Sequence, residues 1–88
     1  MAWAVEFSQA AAKTLDKLDR PVRERILRFF GTRVADNPRR VGKALVGSNR
    51  DSRAWRYRVG DWRMICSIDD ARQIVFVVKV GNRREIYE

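Results

Sequence analysis

Histidine is absent from these 88 residues, and cysteine occurs once, as Cys66. The first absence excludes acid–base chemistry by a pair of histidines. The two together leave no Cys/His set to frame a zinc site and no internal disulfide, which fits a reducing cytosol. Proline (2) and glycine (5) are too scarce for a low-complexity or linker-like chain. No apolar run approaches the ~18 residues of a membrane span. The opening "MAWAVEFSQAAAKTL" lacks the basic flank and unbroken apolar core of a secretion signal, so the expectation is a soluble protein kept in the cytoplasm, away from membranes. Acidic residues are also in short supply, 11 against 19 Lys plus Arg, for a net charge of +8. A surplus of this size in so short a chain points to a nucleic acid or a strongly acidic protein as partner. The basic residues gather in segments 20–33, 39–58 and 79–84 instead of alternating with acids, which a merely solvated surface does not require.

What is present is enough for one compact domain spanning 1–88, of which folding buries somewhat over ~60% of the chain's surface. "AWAVEF" alternates as a strand with Trp3, Val5 and Phe7 on one face. Ser8 can cap a helix, "SQAAAKTLDKL", whose Ala11, Leu15 and Leu18 form an inward stripe. Pro21 suits the first turn of a second helix, "PVRERILRFFGTRVAD", with Val22, Ile26, Phe29 or Phe30, and Val34 buried, and "DNP" stops it. Residues 39–53 read as a basic loop with one turn of helix around "VGKAL". Strands follow: "RAWRYRV" and "WRMICSI" about a Gly60-Asp61 turn of type II′, then "QIVFVVKV", apolar on both faces and hence central, then a short final strand "REIYE". The fold class is α+β, with an N-terminal strand and an α-helical hairpin packed on a mainly antiparallel sheet of four or five strands.

The hairpin raises the functional question. A two-residue turn at Gly60-Asp61 pairs Val59 with Trp62, Arg58 with Arg63, Tyr57 with Met64, Arg56 with Ile65, and Trp55 with Cys66. Trp55, Tyr57, Val59, Trp62, Met64 and Cys66 then share a core face, where Cys66 is a small buried hydrophobe and Trp62 a packing residue. Arg56, Arg58 and Arg63 share the other face, with neighbours ~5–8 Å apart. Like charges so placed destabilise a sheet unless a polyanion meets them. The alternative is three side chains splayed into water.

The segments "VEFSQAAAKTLDKLDRPVRERI", "NPRRVGKALVG", "WRYRVGDWRMICSIDD" and "IVFVVKVGNRREIYE" together resemble the RelE-type toxins of the RelE/ParE toxin–antitoxin superfamily, over nearly the whole chain. The resemblance implies a microbial ribonuclease-like fold and cleavage of messenger RNA in the ribosomal A site, with the message's own 2′-hydroxyl as nucleophile and no cofactor or metal. It sets Arg56 and Arg58 on the basic strand before the turn, Arg63 at the phosphate-binding arginine after it, and Arg83, or Arg84 after a one-residue slip, at the arginine following the apolar strand. Tyr87 falls on the C-terminal tyrosine, and Lys43 and Arg84 are secondary RNA contacts. RelE itself carries lysines where Arg56 and Arg58 stand here, so proton transfer by lysine at these positions is ruled out.

Strand cleavage of this kind needs a base for the 2′-hydroxyl, stabilisation of the five-coordinate phosphate, and a proton for the leaving 5′-oxygen. Arginine is a poor base and an excellent charge stabiliser, which gives Arg56, Arg58 and Arg63 the clamp. Tyr87 is the remaining candidate base, its ordinary pKa of ~10 pulled down by surrounding arginines. A regular final strand would set Arg83, Glu85 and Tyr87 on one face, with Arg83 at the leaving oxygen. Equally, Tyr87 could cap the core edge and Glu85 could serve as base or neutralise an arginine. The implied partners are a cognate acidic, RelB-like antitoxin, which binds operator DNA for the pair, and the ribosome with its message. Two other readings share the fold: a ParE-like inhibitor of DNA gyrase without nuclease activity, and a catalytically silent RNA-binding domain.

Overall fold

The computed structural model describes residues 2–45 and 54–86. A five-stranded mixed sheet runs in the order β1-β5-β4-β3-β2, with β1 Ala4–Phe7, β2 Lys43–Ala44, β3 Ala54–Val59, β4 Trp62–Asp69 and β5 Ile74–Asn82. β1 lies parallel to β5, and every other pair is antiparallel. β5 is interior, as its apolar composition predicts. Two helices, α1 Gln9–Asp16 and α2 Arg20–Phe29, cover one face. Among the described residues no helix is long and apolar enough to cross a membrane.

Local chemistry accounts for the element boundaries. Ser8 caps α1, its Oγ accepting from the Ala11 N–H at 3.0 Å. α1 stops at Asp16, short of the predicted Leu18, which still packs half-buried on the core. Pro21 occupies the first turn of α2, where its missing N–H costs nothing. The second helix does not run evenly to Asp36: Phe30–Val34 forms a π-helical segment. Ile26, Phe30 and Val34 are the buried stripe, and Phe30 rather than Phe29 is the deeply buried ring. Together with Ala11, Leu15, Tyr57, Met64, Cys66, Ile68, Val75 and Val77 they make a continuous core, with Trp3, Val5, Phe7 and Trp62 packed at its margin.

Two further expectations fail. The turn of helix around "VGKAL" is instead the edge strand β2, and residues 46–53 of the predicted loop lie outside the described residues. The final strand "REIYE" is a short helix, α3 Arg83–Ile86, because β5 itself continues through Gly81 and Asn82 and the chain then turns. The strand argument for setting Arg83, Glu85 and Tyr87 on one face falls with it. The register of β5 carries a feature that its apolar run does not announce. Cys66 pairs with Val77 but Ile65 with Lys79, so Val78 is an extra residue, a bulge. Its carbonyl, left out of the ladder, accepts from the Ser8 hydroxyl at 2.7 Å, so the residue that caps α1 also fixes the bulge.

Burial gives the core a pH signature. Desolvation pushes the Tyr57 phenol and the Cys66 thiol well above their ordinary values, with the neighbouring Cys66 adding to the effect on Tyr57. Both groups are neutral in the fold, and both ionise more easily in the unfolded chain, at about 8.5 for Cys and about 10 for Tyr. Their contribution to stability is therefore complete below about pH 8.5 and is lost as pH rises, by up to ~1.4 kcal/mol per pH unit for each group. Chemical denaturation between pH 7 and 11 should show this fall, and Cys66→Val should flatten its first part, below about pH 10, where the thiol alone acts. Equal slopes for the two proteins in that window would contradict the assignment.

Candidate phosphodiester site

The hairpin register is the one the turn dictates: Arg58 faces Arg63, Arg56 faces Ile65, and Tyr57 faces Met64. Gly60 has φ +59 at the first turn position, as a type II′ turn requires, and Asp61 does not share the positive φ. On the core side Tyr57 is 1% exposed and Cys66 2%. Lys43, Arg56, Arg58 and Arg63 line one depression of about 430 Å³ together with Phe29, Val41, Gly42 and Tyr57.

Each cation is held differently. Arg63 is 9% exposed, and its Nη1 donates to the Gly60 carbonyl at 2.8 Å and to the Trp62 carbonyl at 3.3 Å. The turn thus fixes the guanidinium in place before any ligand arrives. Arg58, opposite it, is exposed. Lys43 pairs with Arg56 in the β2–β3 ladder, which brings the predicted secondary contact into the cleft itself. That pairing depends on the preceding segment. The Tyr57 hydroxyl donates to the Pro38 carbonyl at 2.7 Å, and the Trp55 indole Nε1 donates to the Val41 carbonyl at 2.8 Å. Gly42, at φ +73, passes directly over β3. Arg39 closes this arrangement from outside, its guanidinium 5.3 Å from the Trp55 ring centroid and 2.7 Å from the Asp70 carboxylate. Phe29, Phe30 and Tyr57 form a mutual edge-to-face cluster, with centroids 5.5–5.8 Å apart, that makes the floor stiff.

Lys79 was not predicted, and it belongs to this face. Directly paired residues point the same way, so the row Lys43, Arg56, Ile65, Lys79 crosses four strands on the cationic side. Without the bulge Lys79 would oppose Met64 in the core, and for that reason the apolar run around it hides its position. Arg83 begins α3 beside the hairpin tip, its N–H bonded to the Asp61 carbonyl at 2.9 Å, and Arg63 pairs with Gly81 two residues before it. Arg83 and Arg84 are both exposed there, and the Arg84 N–H is bonded to the Asn82 side chain at 3.2 Å. Tyr87 lies outside the described residues. Among the described residues no group of three His, Cys, Asp or Glu side chains gathers as for a metal ion. The cleft is built of donors and positive charge, and it suits a phosphodiester or another polyanion.

Residues 5–87 match the family model described as ParE toxin of type II toxin–antitoxin system, parDE. The chain is 29% identical to Toxin RelG of Mycobacterium tuberculosis over 87 residues, covering 99% of this chain and 98% of that one. It is 30% identical to the mRNA interferase toxin RelE of Escherichia coli K12 over 89 residues, 99% and 92% of the two chains. In structure it resembles a chain of the RelBE2 toxin–antitoxin complex of M. tuberculosis, with TM-score 0.81, 27% identity, and coverage of 94% of this chain and 100% of that one. The chain is therefore a RelE-type member of the RelE/ParE superfamily of toxins from type II toxin–antitoxin systems.

Proposed function

We propose that this toxin is an endoribonuclease that cuts messenger RNA in the ribosomal A site by 2′-hydroxyl attack and so blocks translation. The observation that carries this reading is the convergence of Lys43, Arg56, Arg58 and Arg63 on one cleft, with Arg63 already oriented by the hairpin turn. Its relative in E. coli is named an mRNA interferase.

In this reading the phosphate enters between Arg58 and Arg63. As the 2′-oxygen attacks, charge grows on the non-bridging oxygens, and the two guanidiniums meet it with N–H donors, Arg63 already oriented by the turn and Arg58 ordered by the phosphate. Arg56 and Lys43 hold the flanking backbone. Tyr87 removes the 2′-hydroxyl proton, and Arg83, starting beside Asp61, stabilises or protonates the leaving 5′-oxygen, with Arg84 the neighbouring contact. The bond formed is 2′-oxygen to phosphorus and the bond broken is phosphorus to the 5′-oxygen, which leaves a 2′,3′-cyclic phosphate. No step calls for a metal ion.

The toxin's partner is an acidic, RelB-like antitoxin that covers this basic face and carries the pair to operator DNA; that solved neighbours are toxin–antitoxin complexes supports the pairing itself. A second reading comes from the family description, which names ParE: the same fold inhibiting DNA gyrase without cutting RNA. Such a toxin has no need of four cations on one cleft. Primer extension on one message, with purified toxin alone and on a stalled ribosome with an open A site, separates the two. Cuts that need the ribosome support the nuclease. An uncut message, with supercoiling by gyrase inhibited in a parallel assay, would give the site to the second reading.

A further inference from the structure

We infer that the RNA strand held in the sheet cleft continues over the hairpin turn onto helix α2, where Arg25, Arg28 and Arg33 form a second phosphate-binding track. The inference rests on the RNA reading of the cleft and extends it to a surface with no part in bond cleavage.

A second depression, of about 300 Å³, runs between α2 and the end of β3. It shares Arg58 and Phe29 with the first, so the two are continuous around one arginine. Gly60 is the saddle between them. Its carbonyl accepts from Arg63 on one side, and the Arg25 Nη1 lies 3.4 Å from where a Cβ on Gly60 would sit. The Arg25 guanidinium thus rests within van der Waals reach of the turn.

The π-helical segment completes the row. In an uninterrupted α-helix Arg25, Arg28 and Phe29 share a face, while Arg33 would drift towards the neighbouring one. The wider turn of Phe30–Val34 holds Arg33 back, so it lines the groove with Arg25 and Arg28. From Arg25 to Arg33 is about 12 Å of helix at the 1.5 Å rise, room for two or three phosphates.

Among the described residues no carboxylate pairs with Arg25, Arg28, Arg33 or Arg58, whereas Arg20, one turn earlier, is neutralised by Glu24 at 2.8 Å. Thr32, the other polar side chain there, already gives its hydroxyl to the Arg28 carbonyl at 2.7 Å. The groove therefore presents positive charge and the edge of the half-buried Phe29 ring, which suits a sugar–phosphate backbone. Continuity with the cleft favours the same RNA strand over an acidic peptide.

The test is fluorescence anisotropy with uncleavable 2′-O-methyl RNA, a trinucleotide that fills only the cleft and a strand of about 12 nucleotides that can reach α2, across a range of salt. The proteins are wild type, R25A/R28A/R33A, the charge-keeping R25K/R28K/R33K, and Arg63→Ala, with thermal melts as a check on folding. For the long strand the triple alanine variant should lower the slope of log affinity against log salt by about 2, since each phosphate contact contributes ~0.7. The lysine variant should keep the wild-type slope, and trinucleotide binding should not change in either. A long-strand slope unchanged in a folded triple alanine variant overturns the track, including the case where that variant loses an acidic antitoxin peptide instead. Failure of the cleft reading looks different: Arg63→Ala would then leave trinucleotide binding unchanged, and the track would fall with it.

Discussion

Arg63→Ala is expected to slow RNA cleavage by 10²- to 10³-fold, on the order of the loss when one preorganised donor to a developing oxyanion is removed. The reason is geometric. Arg63 is the buried member of the cluster, and its bonds to the Gly60 and Trp62 carbonyls hold its guanidinium at the wall of the cleft. Exposed Arg58 must be ordered by the ligand, so its loss should cost less. Arg63→Lys keeps the charge but not the fork that can grip two oxygens, and should recover binding more than rate. Arg63→Ala should also cost some stability, because a buried side chain and its bonds to the Gly60 and Trp62 carbonyls are lost, offset in part by the removal of a like charge directly opposite Arg58. Single-turnover cleavage beside a thermal melt would check both parts. A rate within about threefold of wild type would mean that the charge clamp lies elsewhere.

The second large effect is predicted for Gly42→Ala, at a residue that carries no chemistry. At φ +73 any L side chain costs roughly 1–2 kcal/mol. Here a Cβ would also overlap the Arg56 carbonyl oxygen and approach Tyr57 Cδ1 to 2.7 Å and Trp55 Nε1 to 2.8 Å. The Arg56 oxygen is backbone in a paired strand and cannot step aside cheaply. The segment from Pro38 to Lys43 must lift instead, which strains the Tyr57–Pro38 and Trp55–Val41 hydrogen bonds and separates Lys43 from Arg56. The expected loss is at least ~3 kcal/mol, a fall in Tm of more than about 10 °C for a domain of this size. Cleavage should fall with it even at temperatures where the variant stays folded. A Tm within about 2 °C of wild type would show that this segment does not pack against β3 as described.

How far the sequence reveals this protein depends on how local the cause of each element is. The hairpin is legible because a glycine-first turn and strict alternation act within a dozen residues, and they set both the Arg58/Arg63 pairing and the core face. The start of α1 is legible for the same reason, through Ser8. The missed features have distant causes. The bulge at Val78, which carries Lys79 to the cationic face, is satisfied by a hydroxyl 70 residues earlier. β2 exists because side chains of β3 bind the carbonyls of residues 38 and 41. β5 ends in a helix where the Arg83 N–H meets the hairpin turn at Asp61. No periodicity in the chain announces any of these, so the family resemblance supplied Arg83 while nothing in the sequence singled out Lys79.

In the proposed reaction the cation cluster drives attack by the message's own 2′-hydroxyl. The most direct test is a defined message on a stalled ribosome carrying a single 2′-deoxy nucleotide immediately 5′ of the scissile phosphate. Cleavage there should disappear while toxin binding persists, and the unmodified message should yield a 2′,3′-cyclic phosphate end. A cut that survives the missing hydroxyl would contradict it.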